Sequence, residues 1–174
     1  MVSRIKEMEK DLPKRKKNRL DGYDYGSSGA YFITICSKDR KNILSTVVGD
    51  GAHDVPKIVL TTIGEVIEKY ILSTNRIEDV YVDKYIIMPN HIHMIVFIKP
   101  QDDSGTSRAP SPTNEIVPHV VSTLKRLCNK EIGHNIFQRS YFDHIIRDKE
   151  DYNTRVKYIH ENPMRWYYKN LTIE

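Results

Sequence analysis

Two hydrophobic periods alternate along this chain. The run YFITIC (31–36) is aromatic and β-branched, as a strand demands, and residues 43–48 read the same way. A turn-rich connection, GDGAHDVPK, leads to a short third strand at 58–60. Thr62 then caps a helix, because Ile63, Val66, Ile67, Tyr70 and Ile71 recur at three- and four-residue steps. Residues 80–87 and 91–98 are β-rich runs joined by the tight turn MPN, which predicts a hairpin. The positions Ile116, Val117, Val120, Val121, Leu124, Leu127 and Cys128 return to helical spacing, and NIFQRSYFDHII (135–146) holds one more strand. Asp148 is placed to cap a last helix, with Glu150 and Asp151 in the first turn favouring its positive end. That helix is expected to end near Glu161, since Pro163 opposes continuation past Asn162. Strands mixed with helices, including an antiparallel hairpin, predict an α+β fold.

Between these elements the composition shifts. Residues 1–22 are polar and basic and read as an arm; the segment KPQDDSGTSRAPSPTNE (99–115) reads as a polar linker; 169–174 reads as a tail, leaving 23–168 as one domain. The whole chain has 174 residues, enough to bury a core, with 39% hydrophobic and 29% charged positions. No apolar run reaches the roughly 20 residues that span a bilayer, and the N-terminus has no apolar signal core. A cytoplasmic protein with no membrane partner is expected, associated with the nucleoid when DNA-bound. Cys36 and Cys128 are too few and too far apart for a zinc motif and read as reduced core thiols. The net charge of +4 permits a nucleic-acid partner, and the basic residues cluster: Lys14, Arg15, Lys16, Lys17 and Arg19 in one group, Lys125, Arg126 and Lys130 in another. A solvated face is the alternative reading of such clusters.

The stretch MPNHIHMIVF (88–97) carries the first candidate chemistry. Alternate residues of a strand share a face, so His91 and His93 point one way and Ile92 the other. Their backbones are then roughly 6–7 Å apart, which allows both imidazoles to converge on one divalent ion. Two nitrogens do not fill a metal's shell, so an oxygen or amide ligand must come from elsewhere. Alternatively, both rings sit on a sheet edge with no ligand at all.

The second candidate is RVKYIHENP (155–163). On a helix, Tyr152, Val156 and Ile159 form one narrow stripe, while Tyr158 lies roughly 120° away from it. Asn162 falls one turn beyond Tyr158 on the same face, with Arg155 and Asp151 on that side. A phenol, a carboxamide and a guanidinium so arranged suit phosphate chemistry: nucleophile, ligand and clamp. The plainer alternative is a tyrosine packed on a neighbour with its hydroxyl in water.

Taken in order, hydrophobic–MPNHIH–hydrophobic, a basic helix, FQRSYFDHIIRD and RVKYIHENPMRW resemble the REP-associated tyrosine transposases, single-strand transposases of the His-hydrophobic-His endonuclease superfamily. The likeness runs from about Lys17 to Trp166 and includes RKKNRLDGYDYGSSGAYFITIC as the family's opening strand. It implies a ferredoxin-like antiparallel sheet covered by helices. It implies that His91 and His93 bind Mg²⁺ or Mn²⁺ with Asn162 as third ligand, and that Tyr158 is the nucleophile, giving a 5′-phosphotyrosine at hairpin-bearing single-stranded DNA. The sequence holds no GxxxxGK[ST] phosphate loop, in keeping with strand transfer that needs no nucleotide. Candidate DNA contacts are Lys14, Arg15, Lys16, Lys17, Arg19, Tyr23, Tyr25, Lys125, Arg126, Arg139 and Arg155, with His144 as a group supporting the site or donating a proton. Some relatives exchange the last helix within a homodimer, so assembly in cis and in trans both stay open. The alternatives are a domesticated hairpin-binding protein without catalysis, or a replication-type nickase of the same superfamily.

Overall fold

The computed structural model describes residues 28–49, 56–99 and 116–171; the basic cluster Lys14–Arg19, Tyr23, Tyr25 and most of the 99–115 linker lie outside them. Six strands and three α-helices follow in the order β1 (Gly29–Cys36), β2 (Ser45–Val48), β3 (Lys57–Leu60), α1 (Thr62–Ser73), β4 (Val80–Met88), β5 (His91–Ile98), α2 (Ile116–Ile132), β6 (Phe142–Ile146) and α3 (Lys149–Leu171). The main sheet has the order β4-β5-β1-β6 with every neighbouring pair antiparallel, and β2-β3 form a separate two-stranded sheet. Leaving that small hairpin aside, the chain runs β-α-β-β-α-β, the ferredoxin-like order, in an α+β domain. Among the described residues no helix is long and apolar enough to cross a membrane.

The period of two assigns the sheet's faces. Tyr31, Ile33 and Ile35 of β1 and Ile92, Met94 and Val96 of β5 point into the larger core, against Ile67 and Ile71 of α1 and Val117, Val120, Val121, Leu124 and Cys128 of α2. Ala30, Phe32 and Ile95 point the other way, against Ile159 of α3, with Tyr152 and Val156 half-buried beside it. His91 and His93, in step with Ile95, therefore face α3. One irregularity keeps β4 consistent with this division: its register shifts between Val82 and Lys84, so Val82 and Ile87 both reach the larger core despite their odd spacing. Asp83, the extra residue, accepts a hydrogen bond from Tyr152 Oη at 2.6 Å and ties α3 to the sheet edge.

Three boundaries differ from the expectation. The first pairing of β2 begins at Ser45, because Ile43 and Leu44 instead bond the chain around Lys41 and Pro89. The cap of α1 is Thr61, whose Oγ1 accepts from Gly64 N at 3.1 Å. Gly64 packs so closely that a Cβ there would collide with the carbonyl oxygen of Leu44. Most consequentially, α3 passes through Pro163 and continues to Leu171. Proline deletes one N–H from the ladder, but Pro163 and Asn162 are buried and the turns beyond carry Trp166 against His91 and Tyr167 Oη to the carbonyl of Gly49 at 3.3 Å. Tertiary contacts outweigh the missing bond. Asp148 is confirmed as the cap, its Oδ1 accepting from Asp151 N at 2.8 Å.

Candidate active site beneath the last helix

The β4-β5 turn places the imidazole pair. Pro89 and Asn90 make the two-residue connection, and their carbonyls are clamped: Leu44 N donates to Pro89 O at 3.0 Å, and Ser37 N and Oγ both donate to Asn90 O at 2.9 and 3.0 Å. His91 and His93 follow on one face with ring centroids 4.6 Å apart and planes at 72°. His91 Nδ1 is 2.7 Å from Asn90 Oδ1. His93 Nδ1 is 2.8 Å from the Oγ1 of Thr34, its direct partner across the β1-β5 pairing. Each ring thus has Nδ1 engaged, and His93 Nε2 is buried with no hydrogen-bond partner among the described residues.

Both rings are held neutral. Burial, reinforced by the Arg40 guanidinium, pushes His91 down to about 4; burial, reinforced by His91, pushes His93 down to about 3. Neutral imidazoles keep the lone pairs that a cation needs. Phe32 stacks on His93 at 5.0 Å and 21°, which fixes the ring's plane.

Helix α3 covers this pair with the predicted phenol. The Tyr158 ring meets His93 at 5.2 Å and Phe32 at 6.0 Å, both edge-on, while 37% of the residue stays open to solvent. The Arg165 guanidinium lies 5.7 Å over the Tyr158 ring. One turn beyond Tyr158, Asn162 is buried, and its Nδ2 has no partner among the described residues. A half-turn of that amide presents the oxygen in the same place. Trp166, a further turn along, lies 6.0 Å from His91. All these groups lie together within one chain.

The donor set suits a cation in part. Two imidazoles, His93 with a buried Nε2 that has no partner among the described residues, and the buried Asn162 amide are chemically competent ligands, and orphaned buried polar atoms cost free energy unless something satisfies them. Among the described residues no group of three His, Cys, Asp or Glu side chains gathers around a point.

Other predicted residues fall elsewhere. His144 faces α3 from β6, opposite Phe32, and its Nε2 donates to Asp151 Oδ2 at 2.6 Å. Arg155 Nε donates to Asp151 Oδ1 at 3.0 Å, and its guanidinium lies 5.6 Å over the Phe32 ring. Burial works against the Asp151 carboxylate, but the His144 and Arg155 hydrogen bonds prevail and hold it below its ordinary value. Arg155 is therefore committed to Asp151 rather than standing as a free clamp beside Tyr158. The Lys125 ammonium donates to the carbonyls of Gln138, Ser140 and Arg139 at 2.8, 3.0 and 3.3 Å, and burial lowers it to about 8. Arg126 shares α2, across the sheet from the imidazoles, and Arg139 is exposed in the connection to β6. Thr34, Asn90 and Phe32 escape sequence reasoning. Thr34 alone left a trace, as a polar residue in an otherwise apolar strand.

No family model matches the chain. An uncharacterised protein of Haemophilus influenzae is 28% identical over 176 residues, covering 92% of this chain and 94% of that one. The REP-associated tyrosine transposase of Escherichia coli K12 is 23% identical over 141 residues, covering 81% of this chain and 70% of that one. A solved REP-associated tyrosine transposase bound to a REP hairpin shares the fold, with a TM-score of 0.55 at 22% identity over 79% of this chain and 67% of that one. Over most of its length the chain is thus similar in sequence to REP-associated tyrosine transposases, and it shares the fold of a solved one.

Proposed function

We propose that this protein is a metal-dependent single-strand DNA endonuclease and strand transferase acting on hairpin-bearing DNA, with Tyr158 as nucleophile. One observation carries the reading: the partly exposed Tyr158 ring stands at 5.2 Å from His93, whose neutral ring has a free, buried Nε2. Support for the DNA partner comes from the hairpin-bound relative.

His91 and His93, with Asn162 through its amide oxygen, would hold Mn²⁺ or Mg²⁺, which polarises phosphoryl oxygens and offsets charge developing on them. Imidazole ligands favour Mn²⁺ of the two, since Mg²⁺ prefers an all-oxygen shell. Tyr158 Oη attacks the phosphorus, the bond from phosphorus to the 3′ oxygen breaks, and the phenolic proton passes to solvent. The departing oxygen takes a proton and becomes a 3′-hydroxyl, leaving a 5′-phosphotyrosine. A second 3′-hydroxyl reverses the step and joins the strands. The edge-on contacts with Phe32 and His93 orient the phenol, and Arg165 over its ring favours the anion that forms as the proton leaves. Phosphate contacts are assigned to the basic cluster Lys14–Arg19 and to Arg139. Arg126, across the sheet, is left out of the cleavage site.

The test is a labelled single-stranded hairpin oligonucleotide incubated with the protein and Mn²⁺ or Mg²⁺, then run on a denaturing gel. A covalent protein–DNA band is expected, stronger with Mn²⁺ and absent with EDTA. Tyr158→Phe should lose the band and keep DNA affinity in a mobility-shift assay. An undiminished band from Tyr158→Phe removes this residue as the nucleophile. Hairpin binding by the wild type with no band under any metal leaves a binding protein instead.

A further inference from the structure

We infer that Thr34 and Asn90 are positioning residues that hold both imidazoles in the Nδ1–H tautomer and so present the two Nε2 lone pairs together to a divalent cation. This deepens the reading of the pair as a metal site and rests on it.

The argument for Asn90 is direct. The amide atom placed 2.7 Å from His91 Nδ1 is Oδ1, and an acceptor there makes Nδ1 the proton-bearing nitrogen. The backbone that carries it is anchored, its carbonyl accepting from Ser37 N at 2.9 Å.

Thr34 requires one more step, since a hydroxyl can donate or accept. Were it to donate to His93 Nδ1, the proton would sit on Nε2, leaving a buried N–H with no partner. Orphaned buried N–H groups are rare in folded proteins. With Thr34 accepting instead, Nε2 carries a lone pair, and a cation is the partner that satisfies it. The β1-β5 register seats Thr34 directly opposite His93, and Phe32, two residues earlier, stacks on the same ring. One strand thus supplies both the plane and the tautomer of His93, while the turn supplies those of His91. The two anchors sit on different elements, and the rings they hold stand 4.6 Å apart. A valine at position 34 would fill the same space in an apolar strand, so packing gives no reason for the hydroxyl.

Tautomers are read directly by long-range ¹H–¹⁵N correlation spectra of the labelled full chain at neutral pH without metal. Nδ1–H is expected for both rings, and an Nε2–H His93 in the wild type overturns the inference. Metal affinity is read by electron paramagnetic resonance titration with Mn²⁺ alone. Thr34→Val and Asn90→Ala are each expected to weaken binding about 10–100-fold. Thr34→Ser and Asn90→Asp retain an acceptor and should stay close to wild type, which controls for folding. A folded Thr34→Val with undiminished Mn²⁺ affinity overturns the inference alone. A wild type that binds no Mn²⁺ overturns the metal-site reading and this inference together.

Discussion

Acid should destabilise this domain through the buried His93 and the half-buried His91, and one substitution isolates the effect. Folded, His91 titrates near 4 and His93 near 3; unfolded, each returns to about 6.5. Depressed folded values mean that the unfolded chain binds protons the native one refuses. Stability is therefore intact above pH 6.5 and lost as pH falls from there towards 3. From pH 7 to pH 5 the linkage amounts to about 2 kcal/mol per ring, or about 4 kcal/mol for the pair. Carboxylates, with unfolded values near 4, contribute little in that interval. For 174 residues, at roughly 2–4 °C per kcal/mol, Tm should drop by about 8–15 °C. His93→Asn keeps a donor near the Nδ1 position for Thr34 and does not titrate. Thermal unfolding followed by circular dichroism, in EDTA so that no cation competes with protons, should show the variant losing about half of the pH dependence. A variant curve parallel to that of the wild type between pH 7 and 5 would refute burial of a neutral His93.

Two further outcomes follow from single contacts. Gly64→Ala drives a methyl into the carbonyl of Leu44, which is itself bonded to Thr61 N; the cap of α1 should be displaced and stability fall by about 2–4 kcal/mol in urea titration, and a near-neutral result would show that the helix start yields freely. Trp166 is the chain's single tryptophan and lies 6.0 Å from His91. Its emission should fall when paramagnetic Mn²⁺ is added and recover with EDTA, and His91→Ala should abolish the response; equal quenching in that variant would place the cation elsewhere.

Much of the local architecture was legible because it depends on short-range periodicity. The step of two put His91 and His93 on one face, the step of three to four outlined α1 and α2, and a carboxylate before an acidic first turn marked the start of α3 at Asp148. Pro163 misled for the same reason. A proline weighs on its own helix, and that local cost was visible; the burial of Asn162 and Pro163 and the docking of Trp166 and Tyr167, which offset it, were not. The partners of Lys125 were likewise hidden, since nothing near it in the chain reveals three carbonyls thirteen to fifteen residues away.

Sequence by itself determined the strands, the helices, the shared face of the imidazoles and the shared face of Tyr158 and Asn162, because each follows from backbone geometry over a few residues. Only the tertiary structure decided that these two faces meet, that Thr34 stands opposite His93, and that Asp83 is the extra residue that turns β4 over and holds Tyr152. Such pairings join residues roughly sixty or more positions apart. They are set by strand register and by which face of α3 buries its apolar stripe, and both are outcomes of the whole core closing at once.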